Sequence, residues 1–161
     1  MKLFSDYLAE AEAKEKAGTY GALLPIFSDR LKLYKWMEKQ DISNLVKAED
    51  YHCTVVYSTT PVPEVANIDI ELPFIAIPKE WKIFGKDKML VLALDATEAK
   101  ELFDETITLG AQTDYPEYIP HITVALQYDG EVPSKLPPFE IQFYKFKVAP
   151  IDDDFSYSDE K

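Results

Sequence analysis

Two stretches of the chain alternate apolar and polar positions and carry the same pair of polar residues. The first, YHCTVVYS, covers residues 51–58, and the second, PHITVALQY, covers residues 120–128. Successive side chains of a β-strand point to opposite faces, so a residue and the second residue after it share a face. Each stretch therefore predicts a strand with one apolar face and one face that carries a histidine and a threonine.

The rest of the hydrophobic pattern predicts both helices and further strands. A run rich in Ala, Glu and Lys, with Ser5 as a cap and Gly18 as a stop, predicts a helix at residues 5–17. Helical spacing of apolar residues predicts two more helices, at residues 28–40 and 97–111. Ser28 and Thr97 are the predicted N-caps of the second and third helix. Apolar or alternating runs predict strands, two of them forming a hairpin, at residues 19–27, 73–85, 89–96 and 139–151. This mixed order predicts an α+β fold, and the 69 residues between the two histidines indicate two similar lobes around a shared groove.

Length and composition predict a single domain over residues 1–161, with an acidic C-terminal tail at 152–161. The chain is 47% hydrophobic, and no apolar run approaches the roughly 20 residues that span a bilayer. The N-terminus lacks the apolar core of a signal peptide, so we expect a cytoplasmic protein without a membrane partner. The single cysteine, Cys53, is consistent with that compartment and excludes an intramolecular disulfide.

The net charge of −12 argues against a protein that coats duplex nucleic acid, because neutralising phosphates requires many Lys and Arg residues. It does not exclude a small anionic ligand, since a local site can be neutral or positive within an acidic surface. The charge therefore favours a compact ligand over a long polyanion.

The two polar faces carry the groups that phosphodiester cleavage needs. One of His52 and His121 would remove a proton from an attacking hydroxyl, and the other would protonate the departing oxygen. The hydroxyls of Thr54 and Thr123 would donate hydrogen bonds to non-bridging phosphate oxygens and stabilise the transition state. This chemistry needs neither a metal nor another cofactor.

Other interpretations of the two motifs stay open at this point. Threonine fills 9 of 161 positions, so finding it two places after both histidines by chance has a probability of about one in several hundred. Metal catalysis would need a third protein ligand, and no spacing in the sequence indicates one. The aspartates at 152–154 could attract a divalent ion, whereas Cys53 should face away from His52. A binding module that sequesters nucleotides and a plain interaction protein are the remaining alternatives.

The motifs His52-Cys53-Thr54-Val55 and His121-Ile122-Thr123-Val124 resemble those of the two-histidine (2H) phosphoesterases. The segment TYGALLPIF is similar to the first strand of that family. The resemblance implies a two-lobed fold with pseudo-twofold symmetry, antiparallel sheets along a central cleft, and helices outside. Many members carry a basic residue shortly after the second motif, whereas this chain has Ala125-Leu126-Gln127, which argues against the RNA-ligase-like branch.

Within that superfamily the chain looks most like the phage anti-CBASS phosphodiesterases. The resemblance implies cleavage of the 3′,5′ bonds of cyclic di- and trinucleotide immune signals, such as 3′,3′-cyclic GMP-AMP, in the host cytoplasm. It places Tyr20 at the cleft end of the first strand and makes Trp81 and Phe155 candidates for covering bases. Processing of RNA ends or of 2′,5′-linked nucleotides is the alternative within the superfamily.

The acidic tail suggests a further element of the site. Phe155 and Tyr157 are separated by one residue, so they can share a face, and Asp carboxylates can accept hydrogen bonds from the amino groups of a purine. We expect residues 152–157 to fold over the nucleotide as a lid that excludes water. The lid could belong to the same chain or to a neighbouring subunit, which leaves a homo-oligomer open.

Overall fold

The computed structural model describes residues 17–114, 117–151 and 155–157. The strands are β1 (Thr19–Pro25), β2 (Cys53–Ser58), β3 (Phe74–Phe84), β4 (Met89–Asp95), β5 (His121–Ala125) and β6 (Ile141–Pro150). The helices are α1 (Phe27–Glu38) and α2 (Thr97–Thr108). Two 3₁₀ turns, Ala48–Asp50 and Pro63–Asn67, lie before and after β2.

Each helix begins slightly earlier than its predicted cap indicates. Ile26 precedes α1 and Ala96 precedes α2, and neither side chain makes a capping hydrogen bond. Ser28 and Thr97 therefore lie inside the first turn, because each helix follows its preceding strand almost directly. The helix predicted at 5–17 lies outside the described residues except for Ala17. No helix among the described residues is long and apolar enough to cross a membrane.

The six strands form one sheet in the order β2-β1-β6-β3-β4-β5, and every neighbouring pair is antiparallel. The segments β1-α1-β2 and β4-α2-β5 repeat the same strand–helix–strand arrangement. Each repeat is completed by a third strand, β6 in the first lobe and β3 in the second. This confirms the predicted α+β fold with two similar lobes.

The two edge strands of this order, β2 and β5, come together. The Tyr118 hydroxyl donates to the Thr54 carbonyl oxygen at 2.8 Å and lies 3.5 Å from the Cys53 sulfur. Nearby, the Val46 amide donates to the Val124 carbonyl oxygen at 2.8 Å. These contacts bring the histidine-bearing ends of the two lobes side by side.

One apolar core joins both lobes and both helices. Its fully buried members include residues from every strand of the sheet and from α1, among them Leu23, Met37, Cys53, Leu92, Ile122 and Phe143. Burying such side chains stabilises the fold by about 1.5–3 kcal/mol each. The core therefore fixes the relative position of the two lobes on which the paired motifs lie.

Candidate active site

The two His-x-Thr pairs lie on the two strands that meet. His52 directly precedes β2 and Thr54 lies within it, while His121 begins β5 and Thr123 follows two residues later. All four side chains are partly exposed, and the residue between them is fully buried in each pair. The structure thus separates an apolar face from a polar face at both motifs, as the alternation predicts.

The two imidazoles are held by the same kind of hydrogen bond to the backbone. Nδ1 of His52 donates to the carbonyl oxygen of Asp50 at 2.7 Å, and Nδ1 of His121 donates to that of Ile119 at 2.7 Å. A carbonyl oxygen only accepts hydrogen bonds, so the neutral ring must carry its proton on Nδ1. In both residues Nε2 is then left with a lone pair that can take a proton.

Both imidazoles are neutral in the free protein near pH 7. Burial lowers the pKa of His52 from its usual 6.5 to about 4. The hydrogen bond to the Asp50 carbonyl oxygen opposes this lowering, and the charges of His121 and Arg30 add to it more weakly. Burial also lowers the pKa of His121, and its hydrogen bond to Ile119 opposes that effect. Either ring can therefore act directly as a base, and a bound anion would favour protonating one of them.

The Thr54 hydroxyl belongs to a chain of hydroxyl groups. It shares a 3.0 Å hydrogen bond with the Tyr20 hydroxyl, which in turn shares a 2.9 Å hydrogen bond with the Tyr157 hydroxyl. Burial raises the pKa of Tyr20 above its ordinary value. The Tyr20 hydroxyl consequently stays protonated and can donate to Thr54 beside His52.

The C-terminal segment 155–157 lies against the first lobe. The Tyr157 ring stacks on the His52 imidazole, with 3.8 Å between ring centroids and 7° between planes. The Phe155 ring meets Tyr20 edge to face at 4.7 Å. The structure therefore brings Tyr20 and Phe155 together with the first His-x-Thr pair.

Two cationic side chains hold the backbone of this segment. A guanidinium nitrogen of Arg30 donates to the Tyr157 carbonyl oxygen at 2.6 Å, and the Lys147 ammonium donates to the Ser156 carbonyl oxygen at 2.5 Å. Sequence reasoning missed both cations, because neither lies near a motif in the sequence. They reach the segment 155–157 because the fold brings α1 and β6 next to it.

Phe84, which sequence reasoning also missed, contacts the second histidine. Its ring meets the His121 imidazole edge to face, with 5.1 Å between centroids and 80° between planes. The available signal was the alternation along β3, on which Trp81 and Phe84 are an odd number of residues apart. In the structure Phe84 lies on the face of β3 that meets His121, and Trp81 lies on the other face.

Trp81, the candidate for covering a base, has its side chain on the face of the sheet opposite to that of His121. It pairs with the buried Leu92 of β4, whereas His121 pairs with the next residue, Ala93, so the two side chains lie on opposite faces. The Trp81 ring stacks on Trp36 of α1 at 6.1 Å. Its side chain is occupied in packing the core between the sheet and α1.

The described residues include no cluster of three His, Cys, Asp or Glu side chains that could hold a metal ion. Burial raises the pKa of the Cys53 thiol to about 11, so it is neither a nucleophile nor a ready metal ligand at neutral pH. The aspartates at 152–154 lie outside the described residues. The reactive groups described at this site are two imidazoles and several hydroxyls.

Two solved structures share the fold of this chain. A structure described as a phosphoesterase is 15% identical, with a TM-score of 0.64 over 83% of this chain and 87% of the other. E. coli LigT, solved with 3′-AMP, is 14% identical, with a TM-score of 0.66 over 82% and 86% of the two chains. These likenesses show the fold, and on this fold the two His-x-Thr pairs lie on the two strands that meet.

The family follows from the sequence comparison. The family model of the anti-CBASS protein Acb1 matches residues 17–158, and the chain belongs to this family. The Acb1 protein of Vibrio phage KVP40 is 24% identical over 141 residues, which are 86% of this chain and 90% of that protein. The Acb1 protein of Yersinia phage phiR1-RT is 32% identical over 85 residues, covering 52% and 55% of the two chains.

Proposed function

We propose that the protein is a metal-independent phosphodiesterase that opens cyclic di- and trinucleotide immune signals in the cytoplasm of the host cell. Membership of the anti-CBASS family supports this substrate class. The observation that carries the chemistry is the matched pair of imidazoles, each with Nδ1 bound to a carbonyl oxygen two residues earlier. Such a pair can supply one base and one acid to a phosphate between them.

The first step is transfer within the substrate. Nε2 of one neutral histidine takes the proton of a ribose 2′-hydroxyl, whose oxygen attacks the adjacent phosphorus. The other histidine, protonated at Nε2, gives its proton to the departing 5′-oxygen as the P–O bond breaks. The product is a linear nucleotide that ends in a 2′,3′-cyclic phosphate.

The second step consumes water with the two histidines in exchanged roles. The imidazole that has become neutral removes a proton from water, and the imidazolium protonates the ribose oxygen that leaves phosphorus. This opens the cyclic phosphate and returns both rings to their starting state. No metal or redox group enters either step.

The threonine hydroxyls would stabilise the charge that develops on the phosphate. Thr54 and Thr123 share the polar faces with the histidines, and a hydroxyl can donate to a non-bridging oxygen. The bond from Tyr20 to Thr54 orients the Thr54 hydroxyl and leaves its proton for the phosphate when Tyr20 donates. Each threonine thus acts beside the histidine of its own motif.

Base recognition is assigned to Tyr20 and Phe155, with the segment 152–157 as a lid. Phe155 already packs on Tyr20, and Tyr157 covers one face of the His52 ring. An entering base would stack in this aromatic cluster and shift Tyr157, and the lid would close on it. All these contacts form within one chain, so the proposal does not require a neighbouring subunit.

The direct test is incubation of the protein with 3′,3′-cyclic GMP-AMP in EDTA near neutral pH. We expect a linear product, with His52→Ala and His121→Ala each reducing turnover by about 10²–10⁴-fold while the circular dichroism spectrum is kept. The panel includes cyclic trinucleotides and a 2′,5′-linked dinucleotide. Absence of any linear product from every cyclic substrate, or exclusive cleavage of the 2′,5′ bond, would contradict the proposal.

A further inference from the structure

Arg30 is a buried arginine in the first turn of α1. It is 3% exposed, and a guanidinium buried to this extent must be held by hydrogen bonds. Its Nε donates to the Pro25 carbonyl oxygen at 2.8 Å, and its Nη1 donates to the carbonyl oxygens of Glu49 at 3.0 Å and Tyr157 at 2.6 Å. One side chain thus joins the end of β1, the turn before β2 and the C-terminal segment.

Two of these three partners belong to segments that contact His52. Glu49 lies in the 3₁₀ turn before β2, and the next carbonyl oxygen of that turn, that of Asp50, accepts from Nδ1 of His52 at 2.7 Å. Tyr157 stacks on the His52 ring, with 3.8 Å between the centroids. Arg30 therefore holds both the backbone that accepts the Nδ1 proton and the residue that covers one face of the ring.

The two lobes fix the carbonyl oxygen that binds their histidine in different ways. In the second lobe the Leu94 amide of β4 donates to the Pro120 carbonyl oxygen at 2.8 Å, so the sheet fixes the backbone directly after Ile119, whose carbonyl oxygen binds His121. In the first lobe the amides of residues 50 and 51 donate to carbonyl oxygens three positions earlier. Those bonds close the turn without attaching it to the sheet, and the guanidinium attaches the turn to α1.

We propose that Arg30 is a positioning residue for His52, an assignment whose consequence for turnover rests on the proposed function. Its guanidinium holds the turn so that the Asp50 carbonyl oxygen stays on Nδ1, which keeps the lone pair of Nε2 available to take a proton. The bonds to Pro25 and Glu49 do not involve the C-terminal segment, so they remain when that segment moves to admit a nucleotide. Arg30 then keeps the histidine oriented while the lid opens and closes.

The test is the tautomer of the two histidines, read from the nitrogen-15 chemical shifts of their ring nitrogens near neutral pH without substrate. In the parent protein both rings should carry their proton on Nδ1. In Arg30→Met the proton of His52 should lie partly on Nε2, whereas that of His121 should stay on Nδ1. Turnover of saturating 3′,3′-cyclic GMP-AMP should fall by about tenfold or more, since displacement of a catalytic group by about 1 Å can cost about 100-fold.

Two further variants separate positioning from stability and from charge. Asp29→Asn removes a buried charge from the same turn of α1, where the carboxylate accepts from the Gln142 amide at 2.8 Å, and it should move neither histidine proton. Arg30→Lys keeps the positive charge and reports on a folded protein if Arg30→Met does not fold. It cannot bridge three carbonyl oxygens as a planar guanidinium does, so it should shift the His52 tautomer in the same direction.

Three results would overturn the assignment of Arg30. They are a His52 proton that stays on Nδ1 in Arg30→Lys, equal shifts at His52 and His121, and a shift in Asp29→Asn as large as that in the Arg30 variants. The proposed function is tested separately, because the tautomers are measured without substrate. A parent protein that opens no cyclic nucleotide would contradict that function and leave the tautomer result valid.

Discussion

Two backbone carbonyl groups fix the chemistry of the two histidines at the residue scale. Asp50 and Ile119 each accept the Nδ1 proton of the histidine two positions later, so both rings present Nε2 as a base. Burial keeps the rings neutral, since it lowers the pKa of His52 and of His121. The same lowering makes the stability of the fold depend on pH.

We predict that His52 makes the protein less stable as the pH falls below about 6.5. In the unfolded chain the His52 pKa returns to its usual 6.5, while in the fold it is about 4. Between these values the unfolded state binds a proton that the folded state does not, so the free energy of unfolding decreases with falling pH. The stability that depends on a neutral His52 is fully present above pH 6.5 and is lost progressively as the pH falls toward 4.

Urea unfolding of the parent protein and of His52→Ala at pH values across this range measures the effect. The parent should lose more stability on acidification than the variant, because the variant lacks the proton-binding difference. Equal losses in the two proteins would show that His52 is not held neutral by the fold.

At the scale of the elements, most of the correct predictions came from the alternation of apolar and polar residues along single strands. It identified β2 and β5 and separated their polar faces from their buried faces, because period-two burial is a local property of a strand. The same alternation predicts that Trp81 and Phe84 lie on opposite faces of β3. The sequence alone could not say which of these faces meets His121, since that depends on how β3 pairs with β4.

The different positions of Tyr20 and Trp81 give their substitutions different expected effects. Tyr20→Ala should raise the Michaelis constant for the cyclic substrate, since stacking on a base contributes about 1–3 kcal/mol. Trp81→Ala should lower the free energy of unfolding by about 1–3 kcal/mol through lost packing on Trp36, with the Michaelis constant unchanged. If Trp81→Ala instead raises the Michaelis constant and leaves the free energy of unfolding unchanged, Trp81 contacts the substrate.

The C-terminal segment is an element whose contacts no local pattern reveals, because they join residues 155–157 to α1, β1 and β6. Deleting residues 152–161 should weaken substrate binding or change the preference among cyclic nucleotides. The melting temperature should change little, since none of the three described residues of the segment, 155–157, is fully buried. Kinetics identical to the parent on every substrate would show that the segment is not a lid.

The sheet order determines the site at the scale of the whole molecule. It places β2 and β5 at the two edges, which meet through the hydrogen bond from Tyr118 to Thr54, and it places β6 in the first lobe, between β1 and β3. The two-lobed fold was predictable because the strand–helix–strand arrangement occurs twice along the chain. The position of Lys147 beside the first lobe was not, because it depends on β6 pairing with β1 across more than 100 residues of sequence.

The central claim is that two histidines drive attack by the 2′-hydroxyl of the substrate on its own phosphate. The most direct test replaces 3′,3′-cyclic GMP-AMP with its 2′-deoxy analogue, which keeps the bases and both phosphates but lacks the attacking group. The account predicts that the analogue binds as a competitive inhibitor and is not opened, while the ribose form gives a 2′,3′-cyclic phosphate on the way to product. Opening of the deoxy analogue at a rate close to that of the ribose form would contradict it.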